Sequence, residues 1–432
     1  MNIKVYVYTL GCKVNSVESE GITDIFLKEG YEIVNNHTLA DIIIVNTCTV
    51  TNQADQKNRK MIHRFHKENA QAIIIVMGCY SQVKSEEVSK IDGVNIVLGS
   101  VDKEKIINYI NEYKETGKQI IEIKDVRKVN EFDNLKTLTF NRHTRASLKI
   151  QDGCNNFCTY CIIPYARGKL RSKAKDLVLD EARSLVSNGY KEIVLNGIHT
   201  GGYGLDLDNY TFTDLVKDLT KIDGLKRLRI SSIEMHEITD EILDLIKNNN
   251  VVVNHLHIPI QSGSDSVLKA MNRKYNKEEF IEKIEHIKRI VPGIAITTDV
   301  IVGFPGETNE NFNETVETIK KVGFMELHVF PYSRRDNTKA ALMEDQIPGD
   351  IKKTRVNVLL NLSNELKEEY LKEQKNDKLS VLFEKYQDGY NYGHSTNYIY
   401  GKLKSLEDLS NEIREVRIEK IDLETSLFSL SE

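Results

Sequence analysis

Three cysteines fall within eight residues, Cys154, Cys158 and Cys161, in the stretch QDGCNNFCTYCIIPYARGK. In a reducing compartment thiols so crowded bind metal or do catalysis more readily than they pair as disulfides. A closed structural zinc site wants four ligands, and the nearest histidines, His143 and His199, do not stand at finger spacing. A cubane iron-sulfur cluster has four irons, each wanting a ligand beyond its sulfides. Three thiolates leave one iron open, and an open coordination position is where a metal centre takes up something reactive, as in catalytic zinc sites.

The other three cysteines, Cys12, Cys48 and Cys79, are spread over the first fifth of the chain, and none occurs in the 271 residues after Cys161 (432 minus 161). The elements around them explain that spread. Residues 3–9 (IKVYVYT) alternate as a strand does, 42–46 (IIIVN) and 73–77 (IIIVM) are β-branched runs of buried parallel strands, and helical stretches lie between. In open α/β sheets, ligands collect beyond the carboxyl ends of the strands. The three cysteines follow these strands by three, two and two residues, so three thiols are expected at one sheet edge. The competing reading is three small buried hydrophobes.

Residues 145–335 repeat strand and helix, with candidate strands at 146–151, 192–197, 227–233, 255–261, 295–302 and 326–331. Six parallel strands with covering helices predict a partial (β/α)6 barrel whose site lies at the carboxyl ends of its strands. The cysteine loop follows the first strand, and the glycine-rich loops IQSGSD and GFPGET follow the fourth and fifth. Residues 350–375 are helical by period and are expected to carry the chain away from the barrel, and short alternating patterns to the end predict a small all-β barrel. The fold class is thus α/β, divided into an open parallel domain (1–120), the partial barrel (140–370) and the β module (371–432), as a length of 432 residues suggests.

With 40% hydrophobic and 28% charged residues the composition is that of a soluble globular chain, and no apolar run approaches the ~20 residues of a membrane helix. The start reads as a strand and not as a leader, so a cytoplasmic location is expected, and no heptad repeat asks for a partner, so a monomer is expected.

The spacing Cys154-x3-Cys158-x2-Cys161, with Tyr160 before the last cysteine at the end of a first barrel strand, resembles the radical S-adenosylmethionine superfamily. Together with LGCKVNSVESE, NTCTVTNQAD, MGCYSQ, HIPIQSGSDSVLKAMNR and DVIVGFPGET, it is similar to the methylthiotransferases over nearly the whole chain. The resemblance implies two 4Fe-4S clusters, one on Cys154, Cys158 and Cys161 that cleaves S-adenosylmethionine to a radical, and one on Cys12, Cys48 and Cys79 that carries sulfur for insertion. Gly-Cys-Lys-Val-Asn at 11–15 and Asn-Thr-Cys-Thr-Val-Thr at 46–51 resemble the branch acting on N6-threonylcarbamoyladenosine at position 37 of tRNA. Isopentenyladenosine in tRNA and a ribosomal protein aspartate are the alternative substrates, and an iron-sulfur RNA-binding sensor the non-enzymatic alternative. By the same resemblance the β module is a TRAM-like tRNA-binding domain, and an electron donor such as flavodoxin or ferredoxin is expected, the sulfur donor staying open.

The family's barrel places cofactor contacts at Gly201 and Gly202, at Ser232 and Glu234, and at Gly303. For tRNA, the anticodon loop above all, the candidates are Arg167, Lys169, Arg171 and Lys173, with Lys175 beyond them and a helix stripe of Lys57, Arg59, Lys60, Arg64 and Lys67. Lys173 stands where the family usually has an arginine, which forgoes a bidentate contact. Both stretches are expected to rim the cleft into which a loop nucleotide is splayed, solvated helix faces being the alternative. His199, Tyr203 and His257 are the loop aromatics for base stacking. Net charge runs against a simple electrostatic picture: the chain carries −5, and residues 371–432 hold nine Lys plus Arg against twelve Asp plus Glu.

Overall fold

The computed structural model describes residues 2–133, 135 and 144–430, so that His143 and the first residues of the expected central domain lie outside it. The chain opens with β1 (Lys4–Thr9), α1 (Lys13–Lys28), β2 (Glu32–Ile33), β3 (Ile42–Thr47), α2 (Asn52–Glu68), β4 (Ile73–Gly78), α3 (Cys79–Val83), β5 (Val94–Leu98) and β6 (Ile120–Glu122). These strands form an all-parallel sheet in the order β2-β1-β3-β4-β5-β6. The isoleucine run of β3 serves both faces: Ile43 and Val45 pack with Phe65 of α2, and Ile42 and Ile44 with Phe26 of α1. A strand buried on both sides reads as a continuous apolar run, which is why β3 and β4 were legible in the sequence.

The central unit contains β7 (Ala146–Lys149), a two-residue antiparallel pair β8 (Gln151–Asp152) and β9 (Arg171–Ser172), and then β10 (Glu192–Asn196), β11 (Arg227–Ile230), β12 (His255–His257), β13 (Ala295–Val302) and β14 (Glu326–Pro331). Sheets β11-β10-β7 and β12-β13-β14 join through bridges Leu228↔Val252 and Ser232↔His257, giving the predicted six-stranded partial barrel. Leu148, Leu195 and Leu228 point outward into one apolar core with the covering helices. The first four strands end earlier than predicted, β7 at Lys149 and β10 at Asn196 by one or two residues and the next two by more. β11 ends at Ile230, and β12 leaves the sheet after His257, Gln261 taking up a left-handed φ of +64° and a separate bridge to Val300.

The helix Gly349–Glu373 does not lead away from the barrel as expected. Leu359, Leu362 and Leu366 join the barrel core, Ser363 Oγ accepts from Leu327 N at 2.9 Å, and Lys367 pairs with Glu326 at 3.0 Å. The last strands, β15 (Leu379–Gln387), β16 (Tyr390–Ser395), β17 (Tyr400–Lys404), β18 (Ile413–Lys420) and β19 (Ser426–Leu430), close into a small barrel around Val381, Phe383, Val416 and Phe428. This module seats against the amino ends of the central strands. Arg227 donates to His394 O and Ser380 Oγ, Arg229 donates to Thr396 O and Ser395 O at 3.2 and 3.1 Å, and Tyr398 stacks on His255 with centroids 4.5 Å apart.

Candidate cluster sites and the lumen between them

Register brings the first cysteine set together. Thr9 of β1 pairs with Asn46 of β3, and Thr47 pairs with Gly78 of β4, so three neighbouring strands end at one edge. Cys12 caps α1 just past β1, Cys48 follows β3, and Cys79 opens α3 directly after β4. Two glycines make the convergence possible. Gly11 has φ +135° and a Cβ there would lie 2.9 Å from Cys48 Cβ; Gly78 has φ +102° and its Cβ would lie 2.6 Å from Thr47 O. Only a residue without a side chain fits either place.

Asn15 ties this edge together: its Nδ2 donates to Thr47 O at 3.0 Å and its Oδ1 accepts from Cys12 Sγ at 3.2 Å, while Asn58 Nδ2 donates to Cys48 O at 2.7 Å. Cys48 and Cys79 are 7% and 3% exposed. Burial first, then the neighbouring Cys79 and Cys12, push the Cys48 thiol up to about 12, and burial likewise raises Cys79. Buried thiols held back from ionising at Cys48 and Cys79 are donors waiting for positive charge. Arg167 supplies some of it, donating from Nε to Cys79 Sγ at 3.2 Å.

The second set lies in the loop after β8. Cys154 N donates to Gly168 O at 3.1 Å, Cys161 N to Cys158 O at 3.0 Å, and Phe157 turns the chain with a φ of +47°. Burial, then Cys158 and Cys154 among other groups, push the Cys161 thiol up to about 12. Around them stand Arg273, whose Nη1 lies 3.5 Å from Cys158 Sγ, and His199. Burial pulls the His199 imidazole down, but hydrogen bonds to Cys154 and Glu237 outweigh it and raise it to about 10. Among the described residues, no three His, Cys, Asp or Glu side chains converge as ligands of a single ion would. A cubane takes each thiolate at a different iron, so both thiol sets suit a cluster better than zinc.

Between the two sets runs a buried charge network. Glu18 of α1 meets Lys103, Lys149 and Arg167 at 2.9, 2.8 and 2.6 Å, and Asp152 meets Lys149 at 2.6 Å and Arg167 at 3.2 Å. Burial works against ionising Glu18, but Arg167, Lys103 and Lys149 outweigh it and hold the carboxyl well below its usual range.

These contacts correct the expected tRNA stripe. Arg167, Arg171 and Lys173 are buried, Arg167 in the network just described, Arg171 donating to Arg167 O and Lys169 O, and Lys173 paired with Glu181. Lys169 remains on the surface, as do Lys175 and, on α2, Lys57, Lys60, Arg64 and Lys67; Arg59 is half-buried against Tyr80 and Glu87. Of the expected stacking aromatics, His199 and Tyr203 are buried, and His257 faces Asp299 and Thr297. Of the expected cofactor contacts, Gly201 packs on Glu237 and Gly202 lies 2.7 Å, by its would-be Cβ, from His199 Nδ1, so both sit beside Cys154's hydrogen-bond partner. Glu234 is held by Arg273, Ser232 is exposed, and Gly303 (φ +69°) donates to Glu307 and packs on Lys352. Sequence reading passed over Asn15, Glu18, Lys13 and Arg273. Lys13, Asn15 and Glu18 stood inside the quoted LGCKVNSVESE and Arg273 ended the quoted HIPIQSGSDSVLKAMNR, so those motifs were the signal available.

Residues 148–319 match the radical SAM superfamily and residues 4–99 match uncharacterized protein family UPF0004. Over 422 residues the chain is 47% identical to threonylcarbamoyladenosine tRNA methylthiotransferase MtaB of Bacillus subtilis (strain 168), covering 96% of this chain and 94% of that one. The chain belongs to the radical S-adenosylmethionine tRNA methylthiotransferases. A relative of the same name from Aquifex aeolicus is 37% identical (88% of this chain, 92% of that one), and the tRNA-2-methylthio-N(6)-dimethylallyladenosine synthase of Clostridium botulinum (strain Loch Maree) 38% (84% and 81%). Among solved structures, the radical S-adenosylmethionine methyltransferase TsrM of Kitasatospora setae superposes with a TM-score of 0.58 at 15% identity, covering 79% of this chain and 77% of that one, a likeness of fold. As a member of this family the protein is a transferase that works on tRNA with S-adenosylmethionine and two 4Fe-4S clusters. Among the described residues, no helix is long and apolar enough to cross a membrane.

Proposed function

We propose that the protein inserts sulfur and a methyl group at C2 of N6-threonylcarbamoyladenosine at position 37 of tRNA. The observation that carries this is the pairing of two thiol triads on two different sheets, joined through Arg167, in a chain 47% identical to a curated enzyme of that activity. Cys154, Cys158 and Cys161 would hold one cluster, and Cys12, Cys48 and Cys79 the other. When bound, the clusters and S-adenosylmethionine supply the reducing electron, the radical that activates the base, the sulfur and the methyl group. The chain's own residues position and enclose. His199, paired with Glu237, stands beside Cys154, Arg273 holds Glu234 beside Cys158, and Asn15 locks the edge that carries Cys12. The cofactor contacts proposed are Gly201, Gly202, Ser232, Glu234 and Gly303, and Lys169 and the exposed lysines of α2 are proposed to meet RNA phosphates.

The division into domains at 1–120, 140–370 and 371–432 is supported by the sheets, none of which mixes strands of two segments, although β6 of the first runs on to Glu122. A monomeric state, a cytoplasmic location and a flavodoxin- or ferredoxin-type electron donor belong to the same reading. Nucleoside analysis of tRNA from a deletion strain tests it: the 2-methylthio form of threonylcarbamoyladenosine disappears and the unthiolated form accumulates. Unchanged methylthiolation of that nucleoside removes the assignment.

A further inference from the structure

A cavity of about 440 Å³ lies where all three units of the chain meet. Its wall is Lys13 and Ser16 of α1, Ser147 and Val194 from barrel strands, Thr144 and Arg145, and Glu384, Lys385, His394, Tyr398 and Tyr400 of the small barrel. Lys13 keeps accessible surface although protein surrounds it on most sides, because that surface faces the cavity. Among the described residues it has no hydrogen-bond or ion-pair partner, which distinguishes it from Lys103 and Lys149 nearby.

The charge around it is unbalanced. Lys13 feels Arg145, Arg229 and Glu192; Arg145 leans on Glu384 at 3.3 Å, and Arg227 and Arg229 share Glu192 at 3.6 and 2.7 Å. Counting Lys13, Arg145, Arg227, Arg229 and Lys385 against Glu192 and Glu384, described side chains leave three positive charges in excess. An unpaired ammonium facing a cavity in such a field binds an anion that can also lie against flat faces, here Tyr398, Tyr400 and His394. Lys13 directly follows Cys12 in the chain. A purine presents C2 and its N6 substituent on one six-membered ring, so whatever holds the substituent must stand within a base length of the centre that acts at C2.

Building on the proposed substrate, we infer that this cavity receives the carboxylate of the amino-acid substituent on the target adenosine, with Lys13 the residue that selects a charged substituent over an apolar one.

The test measures affinity of the reconstituted, unreduced protein for three anticodon-arm RNAs, bearing adenosine, threonylcarbamoyladenosine or its methyl ester at position 37. The acid is expected to bind about tenfold tighter than either of the others, the size of one charge-assisted hydrogen bond. Lys13→Met abolishes that preference and leaves the adenosine arm unchanged, and Lys13→Arg retains it. Equal binding of acid and ester by the unaltered protein overturns the inference, and because it needs no variant, a poorly folding Lys13→Met does not leave the matter open. An equal loss on all three arms puts Lys13 on a phosphate, and a tenfold loss of S-adenosylmethionine affinity puts it on the cofactor's carboxylate; either outcome overturns it too. If the deletion strain keeps its methylthio group on threonylcarbamoyladenosine, the substrate reading fails; if the group is lost while acid and ester bind alike, only the role of the cavity does.

Discussion

Arg167 Nε donates to Cys79 Sγ at 3.2 Å, across 88 residues of sequence. The same guanidinium grips Glu18 with Nη1 at 2.6 Å and Asn15 Oδ1 with Nη2 at 3.3 Å, and it sits six residues after Cys161. One side chain therefore ties the loop of the second thiol triad to the first. A buried cation against a thiol also favours the thiolate that iron requires.

Arg167→Met removes that cation and leaves Glu18 and Asp152 with only Lys103, Lys149 and Arg171. Breaking one partner out of a buried ion network costs about 3–5 kcal/mol. Thermal unfolding of the metal-free chain is expected to show a loss of that size, and Arg167→Lys a smaller one, since an ammonium can still reach Glu18 but cannot span Glu18, Asn15 and Cys79 at once. Equal stability of wild type and Arg167→Met would mean the network is not held through this residue.

How much of this the sequence disclosed depends on whether a residue acts through near or distant neighbours. The cysteine positions were legible because the apolar runs of β3 and β4 mark strands buried on both faces, and a strand's carboxyl end tells where the next loop must be. The fate of RGKLRSK was not. A charge run looks the same whether water or carboxylates surround it, and the partners of Arg167 and Lys149, chiefly Glu18, lie more than a hundred residues away. Likewise the period of residues 350–375 announces a helix but not that Leu359, Leu362 and Leu366 fold back onto the barrel.

Glu192 gives a pH signature. It is buried at the foot of β10, where burial raises its carboxyl but Arg229, Arg145 and Arg227 outweigh that and bring it down to about 2. An unfolded glutamate titrates near 4.3, so the folded form contributes stability above that value and loses it as pH falls toward 2, an effect of ~3 kcal/mol. Denaturant melts of wild type and Glu192→Gln should differ by a constant amount above about pH 5 and converge between pH 4.5 and 2. A gap that stays constant through that window rules out the carboxylate as its source.

Tyr398 combines a strained backbone with a useful ring. Its φ is +67°, while its side chain stacks on His255 at 4.5 Å and lies under the Arg229 guanidinium at 5.0 Å. Both Tyr398→Ala and Tyr398→Gly lose the stacking, worth about 0.5–1.5 kcal/mol beyond its buried area. Only glycine relieves the left-handed backbone, worth about 1 kcal/mol. Glycine should therefore be the milder substitution in thermal melts; an alanine variant as stable as the glycine one shows that the turn carries no strain.

On the proposed assignment the two thiol triads divide the work, and their variants should divide the phenotype. Cys12, Cys48 and Cys79 are supplied by the parallel sheet, Cys154, Cys158 and Cys161 by the barrel, and no cysteine belongs to both. Cys12→Ala, Cys48→Ala or Cys79→Ala should bring reconstituted iron from about eight to about four per chain. Each should still form 5'-deoxyadenosine under anaerobic reducing conditions but no methylthio product. Cys158→Ala should stop both reactions, because the thiol lost there belongs to the triad proposed to hold the cofactor-cleaving cluster. Loss of deoxyadenosine formation in all three sheet variants would contradict the assignment of roles, since nothing in the sheet is asked to touch the cofactor's cleaved bond.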